Sequence, residues 1–335
     1  MLYDLIKPHS SVSTIGMCKN AGKTTVLNSM IADCFLRGEC LGLTSVGRDG
    51  ERSDVVTGTK KPEICIYGGT VVATAEGALP LGDVSREILE TTGMPTPMGE
   101  VVIFRAHSDG LVQLAGPSMT AQLRVLRQKL PEFGADRVII DGALSRKSLA
   151  MPAVSSGTIL CTGASYSRDM EKTVRDTAHA AALMSLPKTE RSVPAETNGK
   201  FIVIKANGAR GFENAADAAD AIRTDGANAL FIRGGVTDAH TEALFAAGRK
   251  LDSLEIVCED GSRLLFSVKN YEKLLRAGAR FTAQERTSLI AVTVNPFSAY
   301  GNHYDKNAFY DAMRRAIPPE VPVMDVKREM GITDA

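Results

Sequence analysis

The sequence predicts an α/β fold: a mostly parallel sheet with inserted hairpins, followed by a second α/β unit. Two observations carry that expectation. Residues 11–50 read as strand, turn, helix and strand, and residues 201–324 alternate short apolar runs with helical patterns. The length of 335 residues favours two units. The polar, proline-bearing stretch 187–200 is the best linker, which divides the chain into 1–187 and 200–335, with the later strands either a separate sheet or an extension of the first.

The first unit opens on a β-branched run at residues 11–17. It leads into Gly16-Met17-Cys18-Lys19-Asn20-Ala21-Gly22-Lys23-Thr24-Thr25. Val26, Leu27, Met30, Ile31, Cys34 and Phe35 then recur at helical spacing, and Gly38 closes the helix. A short strand, 40–46, follows. A Gly-Lys-Thr triplet between a strand and a helix is the context of a phosphate-binding P-loop, in which backbone N–H groups and the helix start face an anion. Asn20, Ala21, Gly22, Lys23, Thr24 and Thr25 would line it; Lys23 would reach the terminal phosphates and Thr24 a magnesium ion. Against the pattern G-x-x-x-x-G-K-[ST], Met17 stands where the first glycine belongs, and Gly16 comes one residue early.

Residues 63–75 read as a hairpin around Gly68-Gly69. Residues 100–115 read as a second one, with a short helix at 84–92 between them. A helix is expected at 119–131. Val138-Ile139-Ile140-Asp141 then has the form of a Walker B strand, whose Asp141 would hold magnesium. A strand at 158–161 and a helix at 169–186 complete the unit. In the second half, strands are expected at 201–205, 228–232, 254–258, 288–294 and 321–324. Helices are expected at 213–223, 238–249, 268–277 and 306–316.

Further site residues follow from the strand ends. Asp49 and Glu51, in the polar segment after the second strand, could share a magnesium ion or orient an attacking water, or form a solvated loop. Asn295, at the end of the 288–294 strand, could meet a purine edge or simply end the strand. No Asn-Lys-x-Asp guanine-reading motif occurs, which favours ATP over GTP.

Composition limits the remaining classes. Lysine plus arginine and aspartate plus glutamate both total 39, so a broad nucleic-acid surface is not favoured. No apolar stretch is long enough for a membrane span, and the N-terminus lacks a secretion signal. Six scattered cysteines without a C-x-x-C pair fit reduced cytoplasmic thiols.

Lys19-Asn20-Ala21-Gly22-Lys23-Thr24-Thr25 resembles the loop of the family that includes molybdopterin-guanine-dinucleotide adaptor proteins and dethiobiotin synthetase. Many members of that wider class dimerise over the nucleotide, which makes a homodimer an expectation. The spacing of Lys19 departs from the form with a trans-acting lysine, so it is not assigned that role. Other stretches are similar to the small subunit of the lysine 5,6-aminomutase reactivase. These are Gly47-Arg48-Asp49-Gly50-Glu51, Lys61-Pro62, Ala115-Gly116-Pro117-Ser118, Ile140-Asp141-Gly142-Ala143 with Arg146, Thr162-Gly163-Ala164 and Val294-Asn295-Pro296. That resemblance implies a second reactivase subunit as partner and a cobalamin-dependent aminomutase as client. Three functions stay open: a reactivase or chaperone-type switch, an ATP-dependent small-molecule ligase or kinase, and a non-hydrolysing nucleotide-binding module.

Overall fold

The computed structural model describes residues 2–47, 63–144, 154–192 and 196–329. The chain forms two compact units. One comprises Met1–Ala181 with Ser288–Ala335, and the other Ala182–Thr287. Helix α1 (Leu2–Ile6) leads into β1 (Ser11–Gly16), α2 (Lys23–Phe35), β2 (Leu41–Ser45), β3 (Ile64–Ile66) and β4 (Val71–Ala75). Then come β5 (Arg86–Thr96), β6 (Gly99–Ala106), β7 (Gly110–Val112), α3 (Thr120–Lys129), β8 (Arg137–Leu144), β9 (Gly157–Gly163) and α4 (Met170–Met184). The second unit adds β10 (Phe201–Lys205), β11 (Gly208–Phe212), α5 (Ala215–Asp225), β12 (Ala229–Ile232), α6 (Asp238–Leu244), β13 (Glu255–Cys258), α7 (Val268–Arg276) and β14 (Arg280–Ala283). The chain ends with β15 (Leu289–Asn295), α8 (Lys306–Ala316), β16 (Val323–Met324) and α9 (Val326–Glu329).

The first unit holds a nine-stranded sheet in the order β16-β15-β9-β1-β8-β2-β4-β6-β5. Strands from β16 to β4 pair in parallel, and β6 and β5 add antiparallel strands at one edge. Every residue of β1, β2, β4 and β9 is buried. That is the pattern of strands covered on both faces, and it explains why they are short runs of Val, Ile, Leu and Thr without strict alternation. Helix α2 lays Val26, Leu27, Met30, Ile31 and Cys34 into the core beside Val12, Leu43 and Ile139. The second unit has its own sheet, β11-β10-β12-β13-β14, and its own core around Phe201, Leu230, Ile256 and Phe281.

Three expectations are corrected. The 63–75 stretch is not a hairpin. β3 pairs antiparallel with β7, while β4 runs parallel beside β2. The reason lies in burial: Cys65 is exposed between buried Ile64 and Ile66, whereas β4 is buried on both faces and belongs inside a sheet. The 100–115 stretch is not a hairpin either, since β6 pairs with β4 and β5. Most of the helix expected at 84–92 is strand, residues 86–92 belonging to β5; pairing along β6 overrides the helical spacing of a few apolar residues. The C-terminal strands β15 and β16 join the first sheet beside β9, so the second unit is an insertion that begins in the last turn of α4 and ends just before β15.

Candidate functional site

The parallel strands of the first sheet end together at one edge, where open α/β sheets bind their ligands. β1 lies between β8 and β9, and the chain leaves it towards β2 on one side and leaves β9 towards β15 on the other. The glycine-bearing loop of residues 16–22 therefore emerges from the centre of the edge. Met17 N–H donates to the Cys161 carbonyl at 2.8 Å, which carries the β1–β9 ladder into the loop. Gly22 adopts φ +93°, a left-handed conformation open to glycine at little cost, and turns the chain directly into α2.

As N-cap, Gly22 has no side chain to receive the first N–H groups of α2, and the first turn contains no acidic residue. No cap side chain satisfies those donors, an arrangement that can accept an anion at the positive end of the helix. Lys23, the first residue of α2, folds back over the loop: a Cβ on Gly16 would lie 2.8 Å from its Nζ. Gly16 thus supplies the small residue beside the lysine, one position earlier than the standard pattern. Thr24 and Thr25 follow in the first turn, partly exposed. Asn20 takes a positive φ of 59°, and its buried Nδ2 has no hydrogen-bond partner. A buried donor without an acceptor is costly, so this loop contains polar capacity that the protein itself leaves unused.

Asp141 stands on β8, the strand hydrogen-bonded to β1, opposite Thr14 in register. Thr14 Oγ1 donates to Asp141 Oδ1 at 3.3 Å. Burial raises the Asp141 pKa above the usual carboxylate value, while the Lys23 charge and the Thr14 hydrogen bond oppose that rise. Cys18 and Cys161 lie in the same electrostatic neighbourhood. Burial pushes each thiol up to about 11 against the nearby Lys23 charge. Both stay protonated at neutral pH, so neither is poised as a nucleophile.

Asn295 ends β15, two strands from β1. Its Nδ2 donates to the Asn20 carbonyl at 3.3 Å, and its Oδ1 accepts from Phe297 N–H at 3.2 Å. Both ends of the amide are engaged, and one of them pins the glycine-bearing loop. On the other flank, Gly116 packs against the end of β2. Gly116 N–H donates to Ser45 Oγ at 3.1 Å, and Gly47 N–H to the Pro117 carbonyl at 3.2 Å.

The edge thus brings together Asn20, Ala21, Gly22, Lys23, Thr24, Thr25, Asp141 and Asn295. Asp49 and Glu51 lie outside the described residues. Sequence reading missed Thr14, whose hydroxyl positions Asp141, and the close approach of Gly16 to Lys23. The first had a signal in the Ser-Val-Ser-Thr-Ile-Gly run, where polar residues in an otherwise apolar central strand ask for partners. Among the described residues, no group of three or more His, Cys, Asp or Glu side chains could hold a metal. The donor set, one carboxylate and a threonine hydroxyl, fits an ion that keeps waters and takes ligand oxygens, as magnesium does. No protein-family model, curated protein or solved structure matches this chain.

Proposed function

We propose that this chain is a P-loop protein that binds ATP with magnesium and acts as a switch on a partner enzyme. The observation that carries the reading is the pairing of two features at one sheet edge. Lys23 folds over Gly16 in a loop with unsatisfied donors, and Asp141 stands on the adjacent strand. In this reading the loop and the first turn of α2 receive the β- and γ-phosphates, and Lys23 neutralises their charge. Thr24 and Asp141 hold magnesium, directly or through water; the ion draws charge from the phosphate oxygens. Thr14 keeps Asp141 aimed at the loop, and Asn295 keeps the loop in place, so Asn295 serves the phosphates more than the base.

The client is argued from the sequence. The stretches similar to the lysine 5,6-aminomutase reactivase small subunit support a role with a second reactivase subunit on a cobalamin-dependent aminomutase. Releasing a trapped cofactor requires a client to change conformation, and nucleotide binding and hydrolysis bias such a two-state element.

The test is ATP and GTP binding and hydrolysis with magnesium, alone and with the reactivase partner and the aminomutase. ATP is expected to bind, with hydrolysis stimulated by the protein partners. Lys23→Ala is expected to weaken ATP binding about 10- to 100-fold, the weight of a charge-assisted phosphate contact. Unchanged affinity in Lys23→Ala would remove the phosphate assignment. Turnover that depends on a small carboxylate or amine substrate instead of a protein would replace the switch by a ligase or kinase.

A further inference from the structure

Two flanks border the glycine-bearing loop. β8, with Asp141 opposite Thr14, lies on one side of β1; β9 and then β15, which ends at Asn295, lie on the other. Asn20 is tied to the second flank. Its carbonyl accepts from Asn295 Nδ2 at 3.3 Å, and the Asn295 side chain also packs on Gly22, where a Cβ would lie 3.5 Å from the Asn295 Cβ. Asn20 holds φ 59°, in the left-handed region that asparagine tolerates better than most residues.

The backbone of Asn20 is engaged, but its side-chain amide is not. Nδ2 is buried and finds no acceptor among the described residues. Stranding a donor in this way costs more than an ordinary hydrogen bond returns. The turn itself does not require it, because glycine reaches a φ of this sign at less cost and carries no donor. What the amide lacks is an oxygen atom. The uncapped N–H groups at the start of α2 and the Lys23 ammonium call for the same kind of partner, an anion.

Resting on the nucleotide reading, we infer that the Asn20 side chain donates to the α-phosphate of the bound nucleotide, and does so independently of magnesium. In that reading the metal is held beside β8 and bridges the β- and γ-phosphates, which leaves the α-phosphate for the flank that Asn295 pins. Asn20 supplies affinity for the phosphate chain whether or not the metal is present, and Asp141 supplies the metal-dependent part.

The experiment titrates the full chain and its variants calorimetrically with ATP plus magnesium, ATP plus EDTA, and inorganic tripolyphosphate. Asn20→Gly keeps the left-handed turn and deletes only the amide. It is expected to weaken all three ligands about tenfold, and to leave the ratio of magnesium-bound to magnesium-free ATP affinity within about twofold of the parent. Asn20→Asp keeps the shape and replaces the donor by an anion. It is expected to weaken the same ligands about 100-fold or more, while unfolding on heating, without ligand, no earlier than the parent. Either variant binding as tightly as the parent, a loss confined to ATP with magnesium, or an Asn20→Asp variant that unfolds well before the parent overturns the proposal. A loss seen with ATP but not with tripolyphosphate moves the contact to the nucleoside and overturns the phosphate assignment. Lys23→Ala separates the two failures. When it weakens ATP binding and the Asn20 variants do not, only this proposal falls; when the parent binds no ATP, the nucleotide reading falls with it.

Discussion

At the scale of single residues, two carboxylates show how neighbours decide charge. Burial lifts the Asp141 pKa, so protons would compete with the proposed magnesium there at higher pH than at an ordinary aspartate. Magnesium-dependent nucleotide affinity is expected to fall as pH drops through that raised value. Asp141→Asn should remove the magnesium dependence while leaving metal-free binding, which isothermal titration with and without the ion would separate. Glu39 goes the other way. Burial penalises its charge most, but Arg137 and Tyr3 together hold the pKa below the usual range. Arg137 Nε and Nη2 donate to its two oxygens at 3.2 and 3.1 Å, and Tyr3 Oη donates at 2.5 Å. Arg137 also donates to the Ile6 and His9 carbonyls, which ties α1 to the edge of the core. A depressed acid stabilises the fold above its unfolded pKa, and the gain is lost as pH falls through the folded value. Glu39→Gln is expected to cost about 3 kcal/mol at neutral pH, because Arg137 is left buried and uncompensated, with the difference shrinking in acid. Urea unfolding at neutral pH and near pH 3 reads this directly.

Among elements, those whose sequence pattern is local are the ones legible from sequence. β1, α2, β8 and β9 carry their signal locally, in β-branched runs and in the 3.6-residue spacing of Val26, Met30 and Cys34. The 63–112 region was not legible, because its strands choose partners far along the chain. Nothing within residues 63–75 records that β3 will meet β7 or that β4 will lie beside β2. In the candidate site, Lys23 and Thr24 are proposed from the loop pattern and Asp141 from the run before it, and the structure sets Asp141 opposite Thr14 on the strand beside β1. The hold of Asn295 on Asn20 was not legible, since it joins residues 275 apart in sequence. Gly116 makes a sharp test of element packing. A Cβ there would lie 1.7 Å from the Ser45 carbonyl oxygen. Gly116→Ala must push the 115–117 segment off the end of β2, at an expected cost of at least about 3 kcal/mol. Gly235→Ala, where the nearest atom is the tip of Leu265 at 3.4 Å, should be near neutral by comparison. Thermal unfolding of the two variants side by side would decide it.

For the whole molecule, two separate cores mean that one unfolding temperature need not describe the chain. ATP with magnesium is expected to raise the transition of the first unit only, by about 2.7 kcal/mol at a hundredfold excess over its dissociation constant. Scanning calorimetry should resolve one ligand-shifted and one ligand-insensitive transition. A single transition moving as a whole would show that the units unfold together.

The place of the insertion has a consequence for synthesis. β9 and β15 are hydrogen-bonded neighbours, yet Gly163 ends one and Leu289 begins the other. As the chain emerges from the ribosome, β9 presents an apolar edge until the entire second unit has been made. That unit pairs its strands over short stretches and can fold first. The entropic cost of the long closure grows only slowly with its length, so the final sheet is not penalised; the waiting time is the hazard. An exposed Thr158-Ile159-Leu160-Cys161 edge is a template for pairing with other chains. Nascent chains truncated before Ser288 are expected to aggregate during translation, whereas chains extended beyond Met324 stay in the supernatant, a difference that sedimentation of in vitro translation products would reveal.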